Sequence, residues 1–268
     1  VSIASKAFYE DEQLASIIFP NTLKGIGDYA FSDCKELGNF TIPEDVIFVG
    51  DGAFSRCRKI TDVIIPNSVN MIGKYAFSDC ENLRKVIVPD YVIIECGAFD
   101  GTAYYRNESN WENHLLYVGK HLIGAEFEFK NYEIKEGTFT IAGAVFMGFE
   151  GMESIKIPSS VESIGAEAFY ECNSLKDVFY GGSEKMWNNV VIGNVNQDLL
   201  NATIHNNTEA PNEPTVEPEL PEEPSDNTKK CSCNCHKGGF MGFIYKILRF
   251  FWKLFKTNPV CICGAAHY

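Results

Sequence analysis

The sequence predicts a β-rich solenoid with one short parallel strand in each coil of about 23 residues. An Ala-Phe pair recurs at this spacing, a constant apolar frame surrounds each pair, and proline follows a short apolar run in most repeats. The repeated phenylalanines are Phe8, Phe31, Phe54, Phe77, Phe99, Phe146 and Phe169. One such coil cannot close a core by itself, whereas coils stacked at a strand spacing of about 4.8 Å bury a continuous apolar interior.

Within each repeat, the pattern LxxVxIP predicts the strand. In the third repeat Val63 and Ile65 point inward from it, and Pro66, which lacks an N–H group, ends its hydrogen-bond ladder. The following apolar pair, Val69 and Ile72, fills the interior together with the phenylalanine. Glycines at one position of the repeat are expected to permit tight turns. They are Gly27, Gly50, Gly73 and Gly165.

Two segments depart from the repeat. Residues 101–132 lack both the Ala-Phe and the Ile-Pro pairs, and two apolar runs joined by a Gly-Lys dipeptide predict a hairpin insertion there. Residues 179–205 end the repeat and predict a C-terminal cap, because the last apolar layer of a solenoid must be covered. The solenoid is therefore assigned to residues 1–205.

The repeat unit resembles the BspA-type leucine-rich repeat, IPxSVxxIGxxAFxxCxxLxxV. The best example here runs from Ile65-Pro66 to Val86, and the resemblance covers roughly residues 1–205. It implies a leucine-rich-repeat solenoid from a surface or secreted protein, bacterial or protozoan, that acts in adhesion and binding rather than catalysis.

The charge of the chain disfavours nucleic acid as a partner. The net charge is -13, and affinity for phosphate backbones comes mainly from Lys and Arg. Residues 1–205 carry -13, residues 206–230 carry -5 and residues 231–268 carry +5. The middle segment holds five prolines in fourteen residues and is expected to be a disordered, semi-rigid linker.

No arrangement of residues in the repeats predicts catalysis. Ser32 and Lys35 have the spacing of a nucleophile and a base, but the next repeats place Arg58 and Glu81 where Lys35 stands. The pair is therefore a coincidence of the repeat. Four cysteines share one repeat position, and buried free thiols are favoured there over a ladder of disulfides. They are Cys34, Cys57, Cys80 and Cys172.

The candidate partner surface is the outward position between the two inward residues of each strand. We call the residues at this position the outer row. They are Ile18, Thr41, Ile64, Ile87, Glu133, Lys156 and Phe179. Four of the seven are apolar, and Asp62 and Lys85 stand next to them. An exposed apolar stripe predicts a surface that binds an extracellular protein or a glycan. The alternative is that β-branched side chains simply suit a strand.

The C-terminal tail, residues 231–268, combines a basic amphipathic helix with Cys/His clusters at both ends. The helix is predicted over 240–256, which is too short and too polar for a comfortable membrane span but suits association with a membrane or cell envelope. The tail resembles a CxCxCH, helix, CxCG, HY module of secreted proteins from gut-type Gram-positive bacteria. This resemblance implies an extracellular location.

A zinc site is predicted in the tail, because thiolate and imidazole suit Zn²⁺ and closure would fold a segment too small for its own core. Four ligands would come from Cys231, Cys233, Cys235, His236, Cys261, Cys263 and His267. Disulfides are the alternative, although five cysteines leave one thiol unpaired.

The sequence as a whole predicts a non-enzymatic binding or adhesion protein, extracellular or at the cell surface. The alternative is a targeting or accessory domain of a larger secreted enzyme. Val1 begins inside a repeat, so we expect a longer protein upstream.

Overall fold

The computed structural model describes residues 1–207, and they form the predicted solenoid of stacked parallel strands. The linker, the tail helix at 240–256 and the seven candidate zinc ligands lie outside the described residues. The zinc and envelope-association hypotheses therefore stay predictions.

The regular elements are short. In chain order the strands are β1 (Ser2–Ile3), β2 (Gly25–Ile26), β3 (Phe48–Val49), β4 (Asp62–Ile64), β5 (Met71–Ile72), β6 (Lys85–Ile87), β7 (Ile93–Ile94), β8 (Trp111–Glu112), β9 (Leu115–Val118), β10 (His121–Ala125), β11 (Asn131–Glu133), β12 (Thr140–Ile141), β13 (Ser154–Ile157), β14 (Ser163–Ile164), β15 (Asp177–Tyr180), β16 (Val191–Ile192) and β17 (Thr203–Asn206). The α-helices are α1 (Ala103–Arg106), α2 (Glu184–Trp187) and α3 (Gln197–Asn201), and a 3₁₀ helix spans Glu108–Asn110.

Many coils carry two strands where the sequence predicted one. The strands of the LxxVxIP pattern, which we call the IP strands, form the sheets β4-β6 and β11-β13-β15-β17. The apolar pair that follows the proline forms a second set, the IG strands. They make up the sheet β1-β2-β3-β5-β7, and as β12 and β14 they join insertion strands and β16 in the sheet β16-β14-β12-β10-β9-β8. Ile26, Val49 and Ile72 pair in register on the inner side of the IG strands, and all three are buried. These residues fill the interior as expected, and their backbones also pair.

In the second coil, a side chain takes the place of backbone pairing at the IP position. The amide oxygen of Asn39 accepts hydrogen bonds from the backbone N–H groups of Thr61, at 2.8 Å, and Asp62, at 3.2 Å. Those donors would otherwise bond a neighbouring carbonyl, because buried and strand N–H groups need an acceptor. The regular IP sheet therefore begins only at β4.

The repeated phenylalanines stack along the solenoid as the sequence predicts. Phe31 and Phe54 have ring centroids 5.2 Å apart, Phe54 and Phe77 5.3 Å, and Phe77 and Phe99 5.6 Å, with nearly parallel planes. These four side chains are buried. Phe8, in the first coil, stacks on Phe31 but is 36% exposed.

The repeated glycines begin turns as expected, since the Gly50 carbonyl accepts from Ala53 N–H, and they are also needed for close approach between coils. Gly50 and Gly73 are absent from the positions with positive φ. A Cβ atom on Gly73 would lie 2.7 Å from the carbonyl carbon of Gly50, and one on Gly50 would lie 2.8 Å from that of Gly27. Backbones of successive coils touch at this position, which excludes any side chain.

The insertion and the C-terminal segment both pack on the solenoid. Strands β9 and β10 form an antiparallel hairpin, and β10 also pairs in parallel with β12. At the other end, Phe169 N–H donates to the side-chain oxygen of Asn196, and Cys172 N–H donates to Asp198. Side chains after the last repeat therefore accept bonds that the next coil would otherwise accept.

Candidate binding face

The apolar part of the outer row lies on the first coils and is open to solvent. Ile18 is 96% exposed, Ile64 60% and Ile87 45%. Ile64 and Ile87 are direct partners in the parallel pair β4-β6, so their side chains stand side by side. The period of two along a strand explains their position, since Val63 and Ile65 on either side of Ile64 are buried. Thr41 is also exposed.

Charged neighbours accompany these isoleucines. Asp62 and Lys85 are register partners on the same two strands. The hydroxyl group of Thr61, an amide hydrogen bond from Asn39 at 3.2 Å and the nearby charge of Lys85 hold the pKa of Asp62 below its usual range. Asp62 therefore presents a carboxylate beside the apolar side chains.

The second part of the outer row is polar and aromatic. Glu133, Lys156 and Phe179 follow one another across β11, β13 and β15, and His205 on β17 continues the row. Lys156 Nζ lies 3.3 Å from Glu133 Oε2. The rings of Phe179 and His205 stack with centroids 4.7 Å apart and 15° between their planes, and His205 Nε2 lies 2.7 Å from Asp177 Oδ1.

A shallow groove of about 330 Å³ follows this second part. Its lining combines carboxylate, ammonium, imidazole and amide groups with one exposed aromatic ring. The lining residues include Glu133, Glu136, Lys156, Phe179, His205 and Asn207. Such a mixture offers both donors and acceptors to a bound molecule.

The outer row has two parts separated in the chain by the hairpin insertion. The IP strands β4 and β6 belong to one sheet, and β11, β13, β15 and β17 belong to another. Residues 101–130, with the hairpin, lie between them in the sequence. The sequence predicted a single exposed stripe. The structure divides the outer row into two stripes, one mainly aliphatic and one polar and aromatic.

Sequence reasoning missed two features of this surface. His205 was assigned to the cap, although the alternation in Thr203–Asn206 matches that of an IP strand. A second apolar row also lies on the IG strands, where the half-buried Phe48 and Ile93 are register partners of the exposed Met71. Met71 is 38% exposed. The spacing of these residues was visible, but without the second sheet their outward direction was not.

The described residues offer no activated nucleophile among the repeat cysteines. The four thiols are free and buried. Each donates to the carbonyl group of a phenylalanine, as Cys57 does to Phe31 at 3.0 Å. Burial raises the pKa of Cys34 to about 11 and those of Cys80 and Cys172 to about 12. These thiols therefore stay protonated at neutral pH, and the preference for buried thiols over disulfides is confirmed.

The side chains of Ser32 and Lys35, which have the sequence spacing of a catalytic dyad, each contact a different acidic residue. Lys35 forms an ion pair with Glu12, and the Ser32 hydroxyl contacts Asp33 at 3.5 Å. Within residues 1–207, no group of three or more His, Cys, Asp or Glu side chains has a metal-binding arrangement. Across the same residues, no helix has the length and apolar character to cross a membrane.

Comparison with known proteins gives one family match. The model of the BspA type leucine rich repeat region matches in six copies, over residues 1–122 and 122–209. No curated protein is significantly similar in sequence.

Solved structures with similar repeats come from several bacteria. A leucine-rich repeat protein of T. pallidum is 22% identical, with a TM-score of 0.39, over 65% of this chain and 71% of that chain. A leucine-rich cell surface protein of Faecalibacterium prausnitzii is 21% identical, with a TM-score of 0.33, over 71% and 85% of the two chains. The pneumococcal vaccine antigen PcpA is 16% identical, with a TM-score of 0.35, over 78% and 74%.

Proposed function

The chain belongs to the BspA-type leucine-rich repeat family, and on that premise we propose that it is a non-enzymatic binding protein, secreted or at the cell surface, that holds a partner on its outer row. The observation that carries the proposal is the exposure of Ile64 and Ile87 side by side, with Ile18 exposed two coils earlier, on a face whose inward neighbours already fill the core. Exposed apolar residues at consecutive strand positions are typical of interaction surfaces.

A protein partner fits this face better than a glycan does. The first part offers aliphatic side chains, which gain free energy by excluding water from a similar apolar surface. Sugar rings pack on open aromatic faces, but one face of the Phe179 ring is covered by His205. The net charge of -13 favours a neutral or basic partner.

The test replaces Ile64 with Lys and Ile87 with Glu in the full chain. Two glutamates on adjacent strands would repel each other, whereas a Lys-Glu pair copies the contact of Lys156 with Glu133. We expect affinity for a partner selected on protein and glycan arrays to fall at least about tenfold, a loss of about 1.4 kcal/mol, because charges replace the apolar contact. The melting temperature should change little, since both isoleucines are exposed.

Met71→Glu is the matched control, because it places a charge on an exposed apolar residue of the IG strands. It should leave the affinity unchanged. If the double variant folds and binds like the wild type, the outer row is not the binding face. A glycan as the selected partner would overturn the preference for protein.

A further inference from the structure

The hairpin insertion ends in a tip that contacts the coils before and after it. The turn at Gly119 and Lys120 joins β9 to β10, and His121 is the first residue of β10. His121 pairs with Val118 across the hairpin and with Thr140 on β12. Lys120 also forms an ion pair with Asp90, before the insertion, so the tip joins the coils before the insertion to those after it.

The imidazole ring of His121 bonds the coils on both sides of the insertion. Nε2 lies 2.8 Å from the backbone oxygen of Pro89, and Nδ1 lies 2.7 Å from Thr140 Oγ1. A carbonyl oxygen only accepts, so Nε2 carries a hydrogen, and Nδ1 of the neutral ring accepts from the Thr140 hydroxyl. His121 is fully buried, and both of its nitrogens are satisfied in the neutral form.

A proton on Nδ1 would reverse the bond to Thr140, because Nδ1 would then donate and the hydroxyl oxygen would accept. The charged ring has two donors and no acceptor, so the Thr140 hydroxyl would have to turn its hydrogen away. The charged groups that act on the ring are Asp90 and Lys120, which have opposite effects and pair with each other at 2.6 Å. Val118, on the adjacent strand, is apolar. The junction therefore provides little compensation for a buried cation.

We propose that His121 makes this junction sensitive to mild acid, so that protonation of the ring loosens the contact of the hairpin tip with the coils on either side. The two parts of the outer row lie on the two sides of the hairpin in the chain, so loosening would also change how they are presented together. This sensitivity to pH does not depend on which partner binds.

The sign of the effect follows from burial. Desolvation holds the pKa of His121 below the ordinary value of a histidine, about 6.5. The unfolded chain then binds the proton more readily than the folded chain does. Stability is complete above that ordinary value and is lost as the pH falls from it to the lower pKa of the folded state.

The test is hydrogen exchange of the full chain between about pH 7.5 and pH 5, corrected for the intrinsic pH dependence of exchange. Two amides report on the junction: Phe139 N–H donates to Lys120, and Ala142 N–H donates to Leu122. We expect peptides that contain them to lose protection at least about twofold at the lower pH. The internal control is Gly50 N–H, which donates to Ile26 in coils away from the insertion.

His121→Gln should abolish the loss, because its amide can still donate to Pro89 but does not titrate. His114→Gln is the matched control, since His114 is exposed and pairs with Glu126. Unchanged protection in the wild type, or a loss that persists in His121→Gln, would overturn the proposal.

If His121→Gln does not fold, a titration of the wild type decides the matter. NMR of selectively labelled histidine, with the His121 ring identified by its contact with Thr140, gives the pH at which it protonates. Protonation below about pH 6.5, the ordinary value of a histidine, together with loss of junction protection over the same range, is the expected result. Protonation at or above that pH contradicts the proposal.

Discussion

Replacement of Phe54 with Ala should lower the free energy of unfolding by about 3–5 kcal/mol. Phe54 is fully buried, and its ring lies between those of Phe31 and Phe77 at 5.2 and 5.3 Å. Truncation leaves a cavity whose walls belong to three coils, and each coil is held in place by its neighbours. Denaturant unfolding followed by circular dichroism measures the change.

Phe127→Ala provides the comparison, because Phe127 is an aromatic residue that is 57% exposed. It should cost much less than Phe54→Ala. Equal effects of the two substitutions would mean that the stacked phenylalanines are not the main core of the solenoid.

Replacement of Gly50 with Ala is the second change with a large expected effect. The added Cβ would lie 2.7 Å from the backbone nitrogen of Asp28 and 2.8 Å from the carbonyl carbon of Gly27. Backbone atoms cannot rotate away as a side chain can, so two coils must separate. We expect a loss of about 1–3 kcal/mol or more, the usual cost of overpacking. Thermal unfolding monitored by calorimetry would detect it.

Gly151→Ala is the matched control, since a Cβ there meets no atom within 4 Å. It should be neutral or slightly stabilising, because alanine reduces the freedom of the unfolded chain. If both alanine variants have the melting temperature of the wild type, the coils at Gly50 are not packed as closely as in the structure.

The core was predictable because the same apolar positions recur in each repeat. The register of Phe31, Phe54 and Phe77 follows from spacing alone, and a side chain that recurs in stacked coils must meet its copies. Burial of the repeat cysteines follows from the same logic. Repetition thus supplies long-range contacts that a single segment could not reveal.

The remaining features depend on contacts that spacing does not encode. Asn39 replaces a backbone acceptor, and Gly50 is required by the short distance between coils in addition to the turn that it begins. Outward direction on the IG strands, as at Met71, required knowledge that these residues form a second sheet. His205 entered the outer row only through its pairing with Phe179.

The central claim is that the outer row of the IP strands, rather than the apolar row of the IG strands, contacts the partner. Hydroxyl-radical footprinting of the full chain, alone and with the array-selected partner, tests it most directly, because both rows carry oxidisable side chains. We predict protection of Ile64, Ile87 and Phe179 with no change at Met71 and Ile93. Protection of Met71 and Ile93 with unchanged labelling of Ile64 and Ile87 would contradict the claim.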